Sequence, residues 1–272
     1  MKPEIIIDGL YFPESPRWHN ERLWFSDMHG LKVMAVDVKG NSEVIVETKY
    51  SPSGLGWLPD GNLMIVSMPD RHLLRYDGHT INEMADLSPL VKNKCNDMVV
   101  DRDGYAYIGN FGFDIDAGES PVSTILIGVS PEGEIKEVAN DLVFPNGMVI
   151  SADGKTLVVA ESFANRLTAF DIQKDKSLSN KRVWAKLDDY VPDGIAMDIK
   201  GGIWVASAMH NLVLRVEEDG IITDKVEVSQ TAFACAIGGL INNILFVCTA
   251  KSPTPEEALS QKSGRIECLE LK

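Results

Sequence analysis

One plan of two β-rich runs joined by a tight turn returns six times along this chain, at intervals of 40 to 50 residues. Each copy ends on a run such as "LMIVS", "TLVVA" or "IWVAS", and these compositions are typical of strands. A period of this length indicates a repeat architecture rather than an irregular fold. The turns that mark the register lie at Asn20, Asp60, Asp103, Asp153, Lys200 and Asn242.

Most copies continue with a third run, such as "KVMAVDV" or "RLTAFDI", and with a fourth, such as "SEVIVET" or "KRVWAKL". Four antiparallel strands per period describe a blade, so we predict an all-β, six-bladed β-propeller in one domain over residues 1–272. The alternative, a β-sandwich with coincidental hairpins, has no reason to repeat its turn. We expect the opening run "EIIIDGL" to pair with the closing "RIECLELK", since ring closure removes free sheet edges.

The charge of the chain bears on its partners. Its 26 Lys and Arg stand against 40 Asp and Glu, a formal net charge of −14, so we expect neither nucleic acid nor an anionic membrane surface as a partner. No apolar run has the length of a membrane helix or signal peptide, and we predict a cytoplasmic protein. The four cysteines form no CxxC pair, which disfavours a zinc site, and the apolar contexts of Cys235, Cys248 and Cys268 predict buried thiols. The oligomeric state stays open.

The first strand of each predicted blade begins at one mouth of the propeller's central channel. Seven residues before the marker turn, or at the equivalent point, the blades place a ring of side chains that mostly carry oxygen. Oxygen donors with about two negative charges suit a hard divalent cation such as Ca²⁺ or Mg²⁺. The alternative is that Asn-Gly and Asp-Gly only form turns there. In blade order the ring contains Glu14, Ser53, Asn96, Asn146, Asp193 and Ala234.

Three stretches carry a family resemblance: "FPNGMVISADGKTLVVAES", "PDGIAMDIKGGIWVAS" and "PESPRW". They resemble the gluconolactonases and regucalcin, also called the senescence marker protein family, and the likeness runs through all six repeats. The resemblance implies hydrolysis of sugar lactones or related cyclic esters. It also implies one divalent cation at the axis, Ca²⁺ first, with Zn²⁺, Mn²⁺ and Mg²⁺ as alternatives. The family's metal ligands fall on Glu14, Asn146 and Asp193, and an Asn that touches metal or substrate falls on Asn96.

One departure from the family pattern concerns the substrate. Sugar-lactone members often carry Arg two residues before the position of Asn96, whereas this chain has Lys94, a point charge rather than a planar fork. This weakens the case for a sugar lactone but not for lactones in general. For the reaction we predict metal-assisted ester hydrolysis, with Asp193 as general base or as nucleophile. Asn96 and Asp97 would orient water or substrate.

Loops between the second and third strands of the blades should form the walls of a substrate pocket. They carry Met and Phe, including Phe111 and Phe163, which favours a substrate less polar than a sugar lactone unless these side chains only pack loop against loop. His29 and His210 lie in the same loops and could act as acid or base, or be exposed loop histidines. We predict that residues 110–127, with three acidic side chains, form a lid or an acidic surface loop.

Two other functions remain open from the sequence. A non-enzymatic propeller could bind a ligand or protein and hold a structural Ca²⁺, because the fold alone does not decide function. The family resemblance also implies that some relatives hydrolyse organophosphates, and the same site could do so here. The sequence contains no P-loop, dinucleotide-binding glycine motif or GxSxG motif, which disfavours a serine hydrolase.

Overall fold

A computed structural model describes residues 2–271 and places them in six four-stranded antiparallel sheets, which confirms the predicted all-β, six-bladed β-propeller. The first strand is β1 (Glu4–Leu10), and blades 1 to 3 contain β2 (Pro13–His19), β3 (Arg22–Asp27), β4 (Lys32–Val36), β5 (Ser42–Glu47), β6 (Pro52–Trp57), β7 (Leu63–Ser67), β8 (His72–Tyr76), β9 (Ile81–Asp86), β10 (Cys95–Val100), β11 (Ala106–Asn110), β12 (Thr124–Val129) and β13 (Ile135–Leu142). Blades 4 to 6 contain β14 (Pro145–Ile150), β15 (Thr156–Glu161), β16 (Arg166–Ile172), β17 (Leu178–Lys186), β18 (Pro192–Met197), β19 (Ile203–Ser207), β20 (Leu212–Val216), β21 (Ile222–Glu227), β22 (Thr231–Gly238), β23 (Ile244–Ala250) and β24 (Gly264–Glu270).

The two ends of the chain close the ring as predicted. In the first five blades the four strands follow chain order, whereas the sixth has the order β22, β23, β24 and then β1. Glu4 pairs with Cys268, and Leu10 pairs with Gly264. The opening strand therefore supplies the outer strand of the last blade, and the ring is closed by backbone hydrogen bonds.

The hydrophobic core lies between blades rather than within any one of them. Six apolar layers each draw buried residues from two neighbouring blades. In the layer between blades 6 and 1, for example, Phe246 packs with Leu23 and Phe25. Since one sheet cannot bury its own faces, each blade depends on both neighbours, which is the physical reason for the repeat.

The first strands of adjacent blades contact one another in a closed ring and so define two faces. We call the face where these strands begin the mouth face, and the opposite one the turn face. Because strand direction alternates, the loops after the second strands lie on the mouth face, and the turns after the first and third strands lie on the turn face. The mouth face also carries the helix α1 (Pro255–Gln261). Within residues 2–271 we find no helix with the length and apolar character needed to span a membrane.

Seven turns of the turn face follow one pattern. A glycine donates its N–H to the carbonyl oxygen of the residue three positions before it, at 2.8 to 3.1 Å. These glycines have φ between +74° and +90°, a region where other residues are strained. In three of the turns, Asp37, Asp101 and Asp198 each accept two further backbone N–H groups through a carboxylate oxygen. The glycines are Gly40, Gly61, Gly104, Gly133, Gly154, Gly201 and Gly220.

Candidate functional site at the channel mouth

A break in strand pairing lies at or beside the predicted ring position of every first strand. In blade 4, the three steps from Pro145 to Met148 lie opposite only the two steps from Glu161 to Val159, so β14 holds one extra residue. The same slip of one residue occurs at the equivalent point of the other five blades. A β-bulge of this kind re-aims a side chain. Four ring residues lie within their bulges, Ser53, Asn96, Asn146 and Asp193, whereas Glu14 lies just before its bulge and Ala234 just after.

The glycines that follow two of the ring residues allow close packing of neighbouring strands and do not form turns. Asn146-Gly147 and Asp193-Gly194 lie inside β14 and β18, and neither glycine has a positive φ. The interpretation of these pairs as turns is therefore wrong. A Cβ on Gly147 would lie 2.5 Å from the carbonyl oxygen of Asp193, and one on Gly194 would lie 2.4 Å from the Cβ of Ala234. Glycine is required because adjacent first strands approach too closely for a side chain.

Glu14 and Asp193 bring two carboxyl groups together, the first buried and the second half-buried. Glu14 is 8% exposed. Burial, and then the nearby charge of Asp193, raise the pKa of Glu14 well above its usual range. Burial and the charge of Asp97 likewise raise the pKa of Asp193. Without a cation these two carboxyl groups therefore hold protons more tightly than usual, and a bound cation would favour the ionised form of both.

Asn146 fixes the orientation of Asp193. Its Nδ2 donates one hydrogen bond to Asp193 Oδ1 and another to Ser162 Oγ at 3.2 Å. Both amide hydrogens are then used, so the carbonyl oxygen of Asn146 is the atom left to bind a ligand. The structure thus brings together three of the four predicted metal ligands.

Arg17 is a charged residue of this site that the sequence reasoning missed. Its guanidinium donates to Asp97 Oδ1 at 2.7 Å and to the carbonyl oxygen of Met98, joining blade 1 to blade 3. This pair satisfies Asp97, whereas Glu14 and Asp193 have no ion-pair partner among the described residues. The available signal was a cation in "SPRW", within a strand whose neighbours are apolar.

Three buried polar atoms beside the ring have no hydrogen-bond partner among residues 2–271: Ser15 Oγ, Ser53 Oγ and Asn96 Nδ2. An unpaired buried donor costs about 1–3 kcal/mol, so these atoms indicate room for a polar occupant. The Asn96 N–H needs an acceptor, which a water or a carbonyl oxygen can provide. Together with the two carboxylates, this donor set fits a hard cation with an oxygen-bearing ligand beside it. Among the described residues, no three His, Cys, Asp or Glu side chains are grouped closely enough to hold a metal ion. The predicted ligand set contains only two such side chains, because its other two members are asparagines.

Buried acids hold the loops that lead into the ring, and the sequence reasoning missed them too. Asp27 Oδ1 accepts the backbone N–H groups of Tyr11 (3.0 Å) and Phe12 (2.8 Å), just before the ring residue of blade 1. In blade 4, Glu161 accepts the N–H of Val143 at 2.8 Å. In a sequence, an acidic residue at the end of a strand is equally consistent with an exposed turn residue, so the burial of these two acids could not be predicted.

The two predicted loop histidines are half-buried and engaged, not simply exposed. His29 Nε2 donates to the carbonyl oxygen of Pro253 at 2.9 Å, which leaves Nδ1 as its acceptor. Burial lowers the pKa of His29, so this ring is neutral at pH 7. His210 Nδ1 lies 2.9 Å from Ser207 Oγ. Their part in any reaction stays a prediction.

Lys94 is already paired. Its ammonium group donates to the carboxylate of Asp116, in the loop between β11 and β12. This loop spans residues 111–123, so the predicted lid of residues 110–127 was too long, because both of its ends belong to strands. Within the loop, Asp114 Oδ1 accepts the N–H groups of Asp116 and Ala117. The loop is thus folded on itself and tied to the segment that precedes β10.

Phe111 and Phe163 meet through a shared neighbour. The ring of Phe144 lies 4.5 Å from that of Phe111 and 5.1 Å from that of Phe163, measured between centroids. Phe144 comes two residues before Asn146, so this aromatic contact borders the candidate site.

Comparison with known proteins identifies the family. A family model described as "SMP-30/Gluconolactonase/LRE-like region" matches residues 12–251. The chain belongs to this family. Regucalcin of Xenopus laevis is 26% identical over 262 residues, which cover 92% of this chain and 87% of that protein. Regucalcin of Gallus gallus is 26% identical over 266 residues, covering 94% and 88%.

Several solved structures have the same fold as this chain. A luciferin-regenerating enzyme superposes with a TM-score of 0.83 at 19% identity, covering 98% of this chain and 94% of that one. A calcium-binding protein, regucalcin, from Agrobacterium tumefaciens gives 0.82 at 21% identity, covering 98% and 92%. A gluconolactonase from Xanthomonas campestris gives 0.79 at 23% identity, covering 98% and 89%.

Proposed function

We propose that this chain is a divalent-metal-dependent hydrolase that opens lactones. The observation that carries the proposal is the meeting of Glu14 and Asp193 at the channel mouth, where Arg17 is already paired with Asp97. Membership of the SMP-30/gluconolactonase/LRE-like family supports the same reaction class.

The cation would be held by oxygen atoms of Glu14, Asn146, Asp193 and Asn96. An oxygen-only set favours Ca²⁺, with Mg²⁺, Mn²⁺ and Zn²⁺ as alternatives. When bound, such an ion polarises the ester carbonyl and stabilises the charge that develops on its oxygen.

Asp193 would move the proton. As general base it takes a proton from water while the water oxygen bonds to the carbonyl carbon; the ring C–O bond then breaks, and the leaving oxygen takes the proton to give a hydroxy acid. Asn146 holds Asp193 Oδ1, which leaves Oδ2 for this transfer. The unpaired Asn96 N–H would donate to the water or the substrate. Because a cation weakens the basicity of a carboxylate that binds it, direct attack by Asp193 is the alternative.

A panel of γ- and δ-lactones with a pH indicator tests the proposal. It is run after EDTA treatment and after addition of Ca²⁺, Mg²⁺, Mn²⁺ or Zn²⁺. We expect turnover that EDTA abolishes and a cation restores. Asp193→Asn and Glu14→Gln should each lower kcat/KM by roughly a thousandfold. Asp60→Asn, an exposed carboxylate on the turn face, is the matched control and should retain parental turnover.

Three outcomes would contradict parts of the proposal. Parental rates in both site variants would refute the site assignment. Turnover unaffected by EDTA would refute the metal requirement. Saturable Ca²⁺ binding without hydrolysis of any lactone or organophosphate triester would favour the non-enzymatic alternative.

The proposed partner is a small-molecule lactone, with neither nucleic acid nor membrane, and the proposed place of action is the cytoplasm. Cell fractionation with an antibody to the chain tests the location. Recovery in the membrane pellet would contradict it.

A further inference from the structure

The geometry points to lactones that carry an apolar alkyl or aryl group, rather than polyhydroxylated sugar lactones, as the substrates of this site. This inference rests on the proposed function and names its substrate class. It depends on two features of the mouth face: where the aromatic side chains are, and what the polar ones already bind.

Phenylalanine is concentrated around the mouth. Of the nine in the chain, six flank ring positions or lie in mouth-face loops. Phe12 comes two residues before Glu14, and Phe233 directly precedes Ala234. Their rings meet edge to face at 4.8 Å, in an apolar cluster that also contains Met28. The four others, Phe111, Phe113, Phe144 and Phe163, form what we call the aromatic wall.

The aromatic wall turns one ring to the solvent. Phe113 and Phe144 are buried, whereas Phe163 is 47% exposed and lies 5.3 Å from Phe113 and 5.1 Å from Phe144. Phe163 follows Ser162, whose hydroxyl oxygen accepts a hydrogen bond from Asn146. The exposed ring is therefore one residue along the chain from a side chain that contacts the predicted ligand Asn146, and it offers an apolar surface beside the candidate site.

Outside the ring itself, the three polar side chains of the mouth-face loops that were predicted to bind substrate already have partners in the chain. Lys94 is paired with Asp116, His29 Nε2 donates to a carbonyl oxygen, and His210 shares its Nδ1 contact with Ser207. Each hydroxyl of a sugar lactone loses hydrogen bonds to water when it enters a site, and partners in the site must replace them. Apolar substituents have no such requirement, and each buried methylene adds roughly fourfold to kcat/KM.

A series of δ-lactones with one common ring tests this inference. The members are δ-valerolactone, its butyl-substituted homologue δ-nonalactone, the aryl lactone dihydrocoumarin, and glucono-δ-lactone. We expect kcat/KM to rise at least about tenfold from δ-valerolactone to δ-nonalactone, and to be lowest for glucono-δ-lactone. Phe163→Ala should reduce the preference for δ-nonalactone over δ-valerolactone by roughly tenfold, and Phe163→Leu by less. Val183→Ala, a similarly exposed apolar residue on β17, is the control and should leave this preference unchanged.

The outcomes separate the two proposals. If glucono-δ-lactone is hydrolysed with a higher kcat/KM than δ-nonalactone, the substrate class is refuted while the lactonase function stands. If no lactone is hydrolysed, the proposed function fails, and the butyl-substituted δ-lactam and its unsubstituted parent then serve as non-hydrolysable ligands. A larger rise in Tm with the butyl compound, lost in Phe163→Ala, would still support an apolar-ligand site. Equal shifts, or none, would overturn the inference.

Discussion

The two faces of the propeller differ in how strictly they repeat. On the turn face, seven turns share one backbone geometry and one glycine position, and Asp or Ser opens five of them. On the mouth face the backbone also repeats, with one bulge per blade, but the bulged side chains change from blade to blade. Features that repeat from blade to blade, such as the turn glycines, are therefore those that the fold requires. Side chains that differ between blades at one equivalent position are those that a single site at the axis requires.

Charged pairs show the same contrast. On the turn face, Arg215 and Asp198 are joined at 2.6 Å within blade 5, and this contact with Asp198 is the main reason that the pKa of Arg215 is raised. On the mouth face, Arg17 and Asp97 join two blades that are not neighbours. The first pair stabilises one sheet, whereas the second lies among the carboxylates of the candidate site.

The largest expected difference between the faces comes from removing these two arginines. Arg17→Met leaves the carboxylate of Asp97 without its ion-pair partner, and Arg215→Met does the same to Asp198. Because both carboxylates are largely buried, each substitution should lower the free energy of unfolding by about 3 kcal/mol. Only Arg17→Met should also lower kcat/KM for lactones, by roughly a hundredfold, because it adds an unpaired charge beside the ring. Urea denaturation and steady-state kinetics measure the two effects. Equal activity losses in both variants would show that the mouth-face pair has only a structural role.

A smaller difference is expected between two glycines of blade 4. Gly147→Ala places a Cβ 2.5 Å from a carbonyl oxygen of the next blade. It should lower the free energy of unfolding by about 3 kcal/mol and should also weaken cation binding. A Cβ on Gly154 would meet no atom within 4 Å, but φ there is +74°. Gly154→Ala should therefore lower the free energy of unfolding by about 1 kcal/mol through backbone strain and leave cation affinity unchanged. Urea denaturation and Ca²⁺ titration calorimetry follow both quantities. A Gly154→Ala variant as damaged as Gly147→Ala would refute the distinction between packing and turn glycines.

The sequence predicted what the repeat determines. Six periods gave the number of blades, the marker turns gave the register, and the register identified Glu14, Asn146 and Asp193, which the structure brings together. Ring closure was predictable because an unpaired opening strand has an obvious partner in the last blade. These inferences needed only local patterns and the geometry of a propeller.

Contacts between distant residues were not predictable in this way. Arg17 and Asp97 are 80 positions apart, and no periodic pattern links them. The partner of His29 is the backbone of Pro253, and a backbone carbonyl leaves no sequence signal. The Asn146-Gly147 pair was ambiguous for another reason, since glycine after asparagine suits both a turn and a crowded strand. The distance to the neighbouring blade decides between them, and a single sequence does not contain it.

The smallest expected effect concerns one histidine on each face. Burial lowers the pKa of His29 at the mouth and of His19 on the turn face, where the ring stacks on Trp57 at 3.9 Å. A histidine whose folded pKa lies below its unfolded value of about 6.5 stabilises the fold above that pH, and this stability is lost as the pH falls. His29→Gln and His19→Gln should therefore each lose less stability than the parent between pH 7.5 and 5.5, measured by urea denaturation.

The same two variants separate stability from turnover. His29 lies near Asp27 and Lys94, whose charges act on its pKa in opposite directions, and it stacks on Phe12 at 5.3 Å. We expect His29→Gln, which keeps an N–H for the Pro253 carbonyl, to change the pH profile of kcat/KM, because it removes a basic Nδ1 from the mouth. His19→Gln should leave that profile unchanged, since its ring lies at the other end of the first strand. Identical pH profiles for both variants would restrict His29 to the loop contact it makes with Pro253, and proton transfer at the mouth would then depend on the ring carboxylates alone.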